Sequence, residues 1–270
     1  MTDEKVFELK NAEYTYPGGV AALSGISLDI KKGSRVVFMG ANGSGKSTLL
    51  TMLDGLIFPT KGTVRAFGVE LSEAALSNTD FAKGFRQKTG FVFQNPDVQL
   101  FCPTLMEDIA FGPLCMGMPA DEAEKRVEAI AGELDITKLL ERPPHRLSIG
   151  EKKKAAIATA LIMNPEVIIM DEPTAGLDPL TTRHIIDMLV KAGRDGRTVI
   201  TATHDLHIVE EIADIVYIIG RDKKIAASGA PQAVLENQAL LNENNLVHIH
   251  SHSHGHGIPH THPHLHEKNT

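Results

Sequence analysis

The chain has 270 residues, of which 42% are hydrophobic, 23% charged and 5% aromatic, a composition typical of a globular protein with a sizeable core. Its formal net charge of −7 argues against a protein that binds nucleic acid across a broad face. No apolar run approaches the roughly 18 residues that a membrane helix needs, and Cys102 and Cys115 have no metal-ligand or redox spacing. These features predict a soluble intracellular protein that is not itself a channel.

Short apolar runs between turn residues predict a buried parallel sheet, because they are rich in Val and Ile and most lack polar alternation. In chain order these runs are Ser34–Met39, Gly90–Phe93, Val167–Met170, Val199–Thr203 and Ile215–Ile219. Helical patterns separate the runs, and they cover Lys46–Leu53, Asp121–Leu134, Gly150–Met163 and Thr181–Ala192. The alternation of strand and helix predicts an α/β fold.

The remaining segments predict how the chain is divided. The first 30 residues look like antiparallel strands beside the sheet, and residues from about 100 to 163 carry mainly helical patterns, which indicates an inserted helical subdomain. The apolar period weakens from about Asn237 and is lost from His248. We therefore expect a domain over residues 5–235, a linker over 236–247 and a disordered, histidine-rich tail over 248–270.

A phosphate-binding loop is predicted at Gly40–Thr48, which fits the pattern G-x-x-x-x-G-K-[ST] between a predicted strand and a predicted helix. In such a loop backbone N–H groups face the phosphates, Lys46 reaches the β- and γ-phosphates, and the Ser47 hydroxyl binds Mg²⁺. The following helix adds its positive amino-terminal end. The predicted nucleotide-binding residues here are Gly40, Asn42, Gly43, Ser44, Gly45, Lys46, Ser47 and Thr48.

A second signal is the apolar run that ends in Asp171 and Glu172. Asp171 can hold Mg²⁺ through water, and Glu172 can orient or deprotonate an attacking water. Taken alone, the pair could be two solvated acids at the end of a strand. Beside the phosphate loop, it predicts a nucleoside triphosphatase.

Further segments resemble one family. Leu147–Glu151 (LSIGE) resembles the LSGGQ signature of ATP-binding cassette (ABC) ATPases and opens a predicted helix. Other matches are to the adenine-stacking aromatic, the Q-loop glutamine, the D-loop aspartate and the switch histidine of that family. In the same order these residues are Tyr16, Gln94, Asp178 and His204. The resemblance covers roughly residues 5–235, with the motifs in family order.

Within that family the chain is similar to the ATPases of energy-coupling-factor (ECF) uptake transporters. The residues that carry this similarity are Phe93–Phe101 (FQNPDVQLF), Ala110–Pro113 (AFGP) and the sequence LSxGEKK around Ser148. A general ABC importer is the alternative.

The resemblance implies an α/β fold: a P-loop NTPase sheet core with an N-terminal antiparallel β subdomain and an inserted α-helical subdomain. It implies that two chains sandwich two ATP molecules with Mg²⁺, so that a homodimer closes on ATP binding and reopens on hydrolysis. One chain would contribute Tyr16, the phosphate loop, Gln94, Asp171, Glu172 and His204, and the other Ser148 and Gly150. The implied catalytic residues are Lys46, Gln94, Glu172 and His204, the implied Mg²⁺ ligands are Ser47, Gln94 and Asp171, and Asp178 links the two sites.

Two residues depart from the signature: Ile149 replaces a glycine and Glu151 replaces the final glutamine. Ser148 and Gly150, which should face phosphate, are kept. We expect activity, provided that the Ile149 side chain points away from the nucleotide. The neighbouring Lys152–Lys154 is interpreted as a solvated helix face.

The resemblance also implies a groove after Gln94 that receives a short helix of a transmembrane coupling subunit. Apolar candidates for the groove are Leu100, Phe101, Leu105, Met106, Phe111, Leu114, Met116 and Met118. The alternative for each is the core of the helical subdomain. The chain is accordingly expected to lie peripherally at the cytoplasmic face of the plasma membrane, with a metal-binding membrane subunit as a further partner and no nucleic acid.

Histidine is concentrated in the tail, where nine of the 13 fall after residue 247. They are His248, His250, His252, His254, His256, His260, His262, His264 and His266. Imidazole is largely neutral at pH 7 and suits Co²⁺, Ni²⁺, Cu²⁺ and Zn²⁺, so the tail is a candidate metal site. A pH-responsive solubilising tail is the alternative.

Together, these patterns predict an ATPase subunit that energises cobalt or nickel import. The main alternative is an ECF vitamin importer, or another ABC transporter, with an incidental histidine tail. An ABC ATPase of DNA repair is disfavoured because Lys46 and Ser148 lie too close in sequence to flank a long coiled coil, and one of translation because the chain has a single cassette. A metal store without catalysis is disfavoured by the intact site residues.

Overall fold

The computed structural model describes residues 4–252 and 260–264. Its strands are β1 (Lys5–Thr15), β2 (Ala21–Lys31), β3 (Arg35–Met39), β4 (Lys61–Ala66), β5 (Val69–Glu70), β6 (Thr89–Val92), β7 (Val167–Asp171), β8 (Thr198–Ala202), β9 (Ile215–Ile219), β10 (Ile225–Gly229), β11 (His248–His252) and β12 (His260–His264). Its α-helices are α1 (Lys46–Leu53), α2 (Glu73–Ser77), α3 (Thr79–Lys88), α4 (Leu105–Cys115), α5 (Ala120–Glu133), α6 (Ile149–Leu161), α7 (Pro179–Arg194), α8 (Leu206–Ile212), α9 (Pro231–Leu235) and α10 (Gln238–Glu243).

The main sheet has the strand order β10-β9-β3-β8-β7-β6. Neighbouring strands from β9 to β6 are parallel, and β10 pairs antiparallel with β9 at the edge. Every residue of β6, β7 and β8 is buried, which agrees with the continuous apolar runs in the sequence. The predicted α/β architecture is confirmed, and the five predicted strands lie within a residue or two of their expected ends.

A smaller antiparallel sheet, in the order β2-β1-β4-β5, lies beside the main sheet. Helix α1 contacts β2 and β4 of the smaller sheet as well as β7 and β8 of the main sheet. The helix that follows the phosphate loop is therefore held between the two sheets. Its Leu49, Leu50, Met52 and Leu53 are fully buried in one core cluster with residues of both sheets.

Helices α4, α5 and α6 pack against one another within the segment predicted to be helical. Capping boxes fix where two of them begin. In α4 the Thr104 hydroxyl accepts a hydrogen bond from the N–H of Glu107, and in α6 the Ser148 hydroxyl accepts one from the N–H of Glu151. These caps place the signature segment at the amino-terminal end of a 13-residue helix.

The segment 236–247 differs from the expected linker. It contains α10, and Leu241, Leu246 and Val247 are buried in the core of the main sheet. Sequence periodicity missed this contact because only a few apolar residues, spaced irregularly, make it.

Within the expected disordered tail the structure describes β11 and β12, which pair antiparallel. His254, His256 and His266 lie outside the described residues. No helix among the residues that the structure describes is long and apolar enough to cross a membrane.

Candidate active site

The phosphate loop follows β3 and turns directly into α1, so it lies at the carboxyl edge of the main sheet. Gly45 is required where the loop enters the helix, because it has φ +111° and a Cβ there would lie 2.3 Å from the carbonyl oxygen of Ala22. Asn42 and Gly43 are exposed at the tip, whereas the side chains of Ser44 and Thr48 are buried. The loop is thus a backbone cradle open to solvent on one side.

Lys46 crosses the inside of this loop. Its ammonium donates to the carbonyl oxygens of Gly40, at 2.8 Å, and Ala41, at 3.3 Å. Burial lowers the pKa of Lys46, while the nearby carboxylates of Glu172 and Asp171 act to raise it. The ammonium lies 3.9 Å from the Glu172 carboxylate, which places a positive charge between the loop and the end of β7.

Asp171 and Ser47 meet at the same edge of the sheet and suit a magnesium ion. Burial raises the pKa of Asp171, and a hydrogen bond with the Ser47 side chain opposes that rise. One carboxylate oxygen of Asp171 and the hydroxyl of Ser44 are buried with no hydrogen-bond partner in the described part of the chain. Because buried polar atoms without partners are costly, this arrangement fits a bound, hydrated cation and phosphate oxygens.

Glu172 forms the centre of a hydrogen-bonded group beyond the strand end. One carboxylate oxygen lies 2.7 Å from Nδ1 of His204, and the other accepts from the Thr203 hydroxyl at 3.3 Å. The bond with Glu172 raises the pKa of His204, and partial burial of the ring acts against it. The arrangement can orient a water molecule and accept its proton.

The backbone of Glu172 is in the left-handed region, with φ +44°, which is uncommon for a residue other than glycine. Its N–H donates to the carbonyl oxygen of Ala202, so β8 holds it in place. Such strain is commonly found at functional sites. Here it turns the carboxylate out of the strand direction toward Lys46 and His204.

Tyr16 lies beside the loop. Its hydroxyl is 2.9 Å from Oγ1 of Thr48, and Tyr14 packs edge-on against the ring. The side chain remains 43% exposed. An aromatic ring that is held in place at the rim of a phosphate site can stack on a base.

The signature residues lie on a different surface. Ser148, Gly150 and Asp178 line a shallow depression of about 850 Å³, together with Asp135, Thr137, Lys138, Leu139, Ile149, Glu151, Lys154, Gly176 and Thr181. None of the described residues lining this depression belongs to the phosphate loop. Asp178 caps α7 through the N–H groups of Leu180 and Thr181, while Ile149 is 57% exposed.

The structure explains why a glutamate, Glu151, stands at the end of the signature. Its carboxylate accepts a hydrogen bond from the N–H of Ser148 at 2.7 Å, completing the capping box, and hydrogen bonds from Ser148 lower its pKa. The direction of the Ile149 side chain relative to a nucleotide stays a prediction.

Gln94 follows β6 at the carboxyl edge of the sheet and is exposed. Its carbonyl oxygen accepts a hydrogen bond from Lys153. The interpretation of Lys152–Lys154 as a solvated face is wrong for Lys153, which is 1% exposed. The sequence does carry a signal: Lys153 precedes the buried Ala156, Ile157 and Ala160 by three, four and seven residues, the spacing of one helix face.

A second, apolar groove of about 650 Å³ lies between α4 and α5. Of the predicted groove residues, Met106, Phe111 and Leu114 line it. Phe101 packs edge-on against Phe111 and is 66% exposed. Leu100 and Leu105 are instead buried in the core, as the alternative interpretation held, and Met116 and Met118 are half-buried nearby.

Comparisons with known proteins agree with this geometry. The ABC transporter family matches residues 23–175. The chain is 46% identical over 244 residues to the nickel import ATP-binding protein NikO of Rhodobacter capsulatus, covering 89% of this chain and 95% of that protein. It is 42% identical over 241 residues to the energy-coupling factor transporter ATP-binding protein EcfA of Methanocaldococcus jannaschii, covering 89% and 85%.

Two solved structures are similar to the whole fold. One is cbiO1 from Clostridium perfringens, part of the ABC transporter complex cbiONQ, with 35% identity, a TM-score of 0.74 and coverage of 90% of this chain and 96% of that chain. The other is a dimeric ATP-binding cassette bound to ADP and Pi, with 31% identity, a TM-score of 0.76 and coverage of 83% and 98%. The chain therefore belongs to the ABC transporter family, as an ATP-hydrolysing subunit with energy-coupling-factor ATPases among its relatives.

Proposed function

We propose that this chain hydrolyses ATP to energise the import of a divalent transition-metal ion, cobalt or nickel, through membrane partner subunits. The observation that carries the choice of cargo is the histidine-rich segment, which a vitamin importer does not need. The names of two similar proteins, a nickel import ATPase and a cbiONQ component, support the same choice. The EcfA relatives keep the vitamin importer as the alternative.

In the proposed mechanism the chain's residues bind and orient ATP at the carboxyl edge of the main sheet. The phosphate loop and Lys46 neutralise the phosphate charge, and Tyr16 stacks on the adenine. Ser47, Gln94 and Asp171 would hold Mg²⁺, which neutralises charge on the phosphate oxygens. Glu172 then orients and deprotonates the attacking water, and His204 fixes the Glu172 carboxylate and contacts the γ-phosphate.

A second copy of the chain completes the site. Ser148 and Gly150 of that copy approach the γ-phosphate with the amino-terminal end of α6, whose first N–H groups have no acceptors within the helix. The phosphate therefore bridges two chains, so ATP binding closes the dimer and hydrolysis releases it. Asp178 lies on the same surface and links the two sites.

The groove between α4 and α5 supplies the proposed contact with a transmembrane coupling subunit. Its lining is mainly apolar, with Met106, Phe111 and Leu114 available to pack against an amphipathic helix. A metal-binding membrane subunit would be the further partner. The chain would then lie at the cytoplasmic face of the membrane, held there by its partners.

The histidine-rich segment is proposed to bind the arriving ion. The register of β11 with β12 pairs His248 with His264, His250 with His262 and His252 with His260. Directly paired residues of an antiparallel ribbon share a face, as do alternate residues along one strand. By register, six histidines therefore belong to one face of the ribbon, and imidazole is a ligand that suits Co²⁺ and Ni²⁺.

The test is metal uptake in cells that carry the chain with its native membrane partners. Cobalt and nickel accumulation would be compared between the wild type and Glu172→Gln. We expect accumulation of one of these ions that disappears in the variant. Equal accumulation of both ions in the two strains would contradict metal import and favour the vitamin importer.

A deletion from His248 onward separates the tail from the catalytic site. We expect basal ATP hydrolysis by the purified chain to be unchanged, while binding of Co²⁺ or Ni²⁺ measured by calorimetry is lost. Loss of hydrolysis would show that the tail is not an accessory segment.

A further inference from the structure

Lys153 is a buried lysine that no step of the proposed mechanism uses. Its side chain leaves α6 and is 1% exposed. The ammonium donates hydrogen bonds to the carbonyl oxygens of Gln94 at 2.8 Å and Phe93 at 3.1 Å, and to that of Glu172 at 3.5 Å. One side chain therefore joins the end of β6 to the residue that follows β7.

These bonds are charge-assisted and lie away from water, where such bonds are strongest. Burial lowers the pKa of Lys153 to about 8, while the carboxylates of Asp171 and Glu172 act to raise it. A buried lysine is retained only where carbonyl or carboxylate oxygens compensate for its lost hydration. All three of its hydrogen-bond acceptors are main-chain oxygens, so what it positions is the backbone.

The Glu172 backbone needs such support because of its left-handed conformation. The carbonyl oxygen of Glu172 accepts a bond from the N–H of Ala175 at 3.3 Å and one from the charged Lys153 ammonium at 3.5 Å, so Lys153 is one of two donors that the described residues provide to it. The carboxylate projects from this same stretch of backbone. Lys153 therefore bonds to the main chain that carries the carboxylate.

The chain that follows Gln94, one of the residues bonded to Lys153, leads to the groove between α4 and α5. Residues 94–102, here named the connecting segment, begin at the Lys153 acceptor Gln94. They end at Phe101 and Cys102, whose N–H groups both donate to Asp108 of α4 at 2.9 Å. Helix α4 forms one wall of the groove. The connecting segment is therefore bonded to the groove wall at one end and to Lys153 at the other.

We propose that Lys153 is a positioning residue, which holds the connecting segment and the main chain of Glu172 at a fixed separation. A shift of α4 when the groove is occupied is then passed through the connecting segment and Lys153 to the Glu172 carboxylate. The transmission of a shift from α4 rests on the proposed role of the groove. The positioning role of Lys153 does not, since it concerns the purified chain alone.

Lys153→Met tests the positioning role of Lys153, because it keeps the length of the side chain and removes the hydrogen-bond donors. In the purified chain we expect kcat for ATP hydrolysis to fall about 10- to 100-fold, as a small misplacement of a catalytic group does. The dissociation constant of ATP should change by less than about twofold, since no phosphate-binding group is altered. Lys153→Gln, which keeps an N–H donor, should recover a substantial part of kcat.

Lys125→Met on α5 is the matched control. It removes an ion pair with Asp121 in which both side chains are more than three-quarters exposed, and such pairs contribute little to stability, so kcat should be unchanged. Unchanged kcat in Lys153→Met would overturn the proposal. So would a fall in kcat matched by an equal loss of ATP affinity and not recovered by Lys153→Gln, because that pattern indicates general unfolding.

The complex with the membrane partners tests whether a shift of α4 is transmitted through Lys153 to Glu172. Hydrolysis by the wild-type complex should be stimulated by cargo, and we expect this stimulation to be lost in Lys153→Met and partly regained in Lys153→Gln. Full stimulation in Lys153→Met would overturn the coupling. Failure of the metal-import proposal would instead appear as a different cargo, with the kcat of the purified Lys153→Met chain still reduced.

Discussion

The hydrolytic and signature surfaces of this molecule are built in opposite ways. Around Lys46, Glu172 and His204 the polar groups bond to one another, and two of the three side chains are more than nine-tenths buried. Around Ser148 and Gly150 the hydrogen bonds cap the starts of α6 and α7, and the surface opens to solvent. One chain thus assembles the hydrolytic part of the site internally and presents the signature part outward, which is the arrangement expected when a second copy completes the site.

The signature surface remains able to bind phosphate even though its hydroxyl is already used in a cap. The Ser148 hydroxyl accepts a bond from the N–H of Glu151, and its own proton, which faces the Glu151 carboxylate, can turn to a phosphate oxygen. The start of α6 also carries the partial positive charge of the helix dipole. The two surfaces therefore give separate predictions, since the proposed mechanism assigns hydrolysis to one and closure of the dimer to the other.

Glu172→Gln should have the largest effect, and it acts on the hydrolytic surface alone. The amide cannot accept the proton of water, so we expect turnover to fall by about 10²- to 10⁴-fold. ATP binding should persist, because the phosphate loop is unchanged. Phosphate release and nucleotide binding by filtration measure the two quantities, and turnover near the wild-type rate would show that another group is the base.

Gly150→Ala should affect the signature surface alone. A Cβ at Gly150 would lie 3.5 Å from Oγ1 and 3.6 Å from Cγ2 of Thr181, which are ordinary contacts, so the chain should fold with an unchanged Tm. The added methyl group would keep a partner's phosphate at a distance. We expect ATP-dependent dimerisation to weaken at least about tenfold, or about 1.4 kcal/mol, in sedimentation measurements.

The effect of Gly150→Ala on dimerisation is best measured in chains that also carry Glu172→Gln, because these do not consume ATP during sedimentation. If Glu172→Gln/Gly150→Ala dimerises with ATP as strongly as Glu172→Gln does, Gly150 does not face the nucleotide of a partner chain.

Tyr16→Ala should have a moderate effect on nucleotide affinity. Loss of stacking on a base costs about 1–3 kcal/mol, so we expect ATP to bind about tenfold or more weakly. Tyr16→Phe is the control, since it keeps the ring and loses only the bond with Thr48. Equal losses of affinity in the two variants would show that the hydroxyl, and not the ring, is what matters.

The His204–Glu172 contact predicts a small pH dependence of stability. The pKa of His204 is raised in the folded chain, so the contact stabilises the fold fully below the unfolded pKa of about 6.5. This contribution is lost as the pH rises through the higher folded pKa. The free energy of unfolding should therefore fall more between pH 6 and pH 8 in the wild type than in Glu172→Gln.

Urea unfolding of both proteins at the two pH values measures this difference, and the other histidines cancel between them. Since the His204 side chain is 45% exposed, solvent screening keeps the effect small. Identical pH dependence in the two proteins would contradict the raised pKa.

Sequence reasoning worked best where periodicity and motif coincide. The strands of the main sheet, such as Val167–Asp171, are buried on both faces, so their sequence is almost purely apolar. The motifs also follow the ends of β3 and β7, so the loop before Lys46 and the pair Asp171 and Glu172 lie at one edge of the sheet. Topology alone brings these residues together.

Features that depend on tertiary contact were not predictable in the same way. The short β5 and the helices α2 and α3 have weak patterns of their own: β5 forms against β4, α3 against β6, and α2 against α3. The run Lys152–Lys154 looks uniformly solvated, and only the burial of its neighbours on α6 distinguishes Lys153. The left-handed conformation of Glu172 leaves no mark in residue type at all.

The central claim is that the ATP site is complete only when two chains meet. The most direct test is the specific ATPase activity of the purified wild type as a function of protein concentration, with sedimentation at the same concentrations. We predict that activity per chain rises with concentration and levels off where ATP-bound dimers predominate. Constant activity per chain at concentrations where the protein is a monomer would contradict the claim.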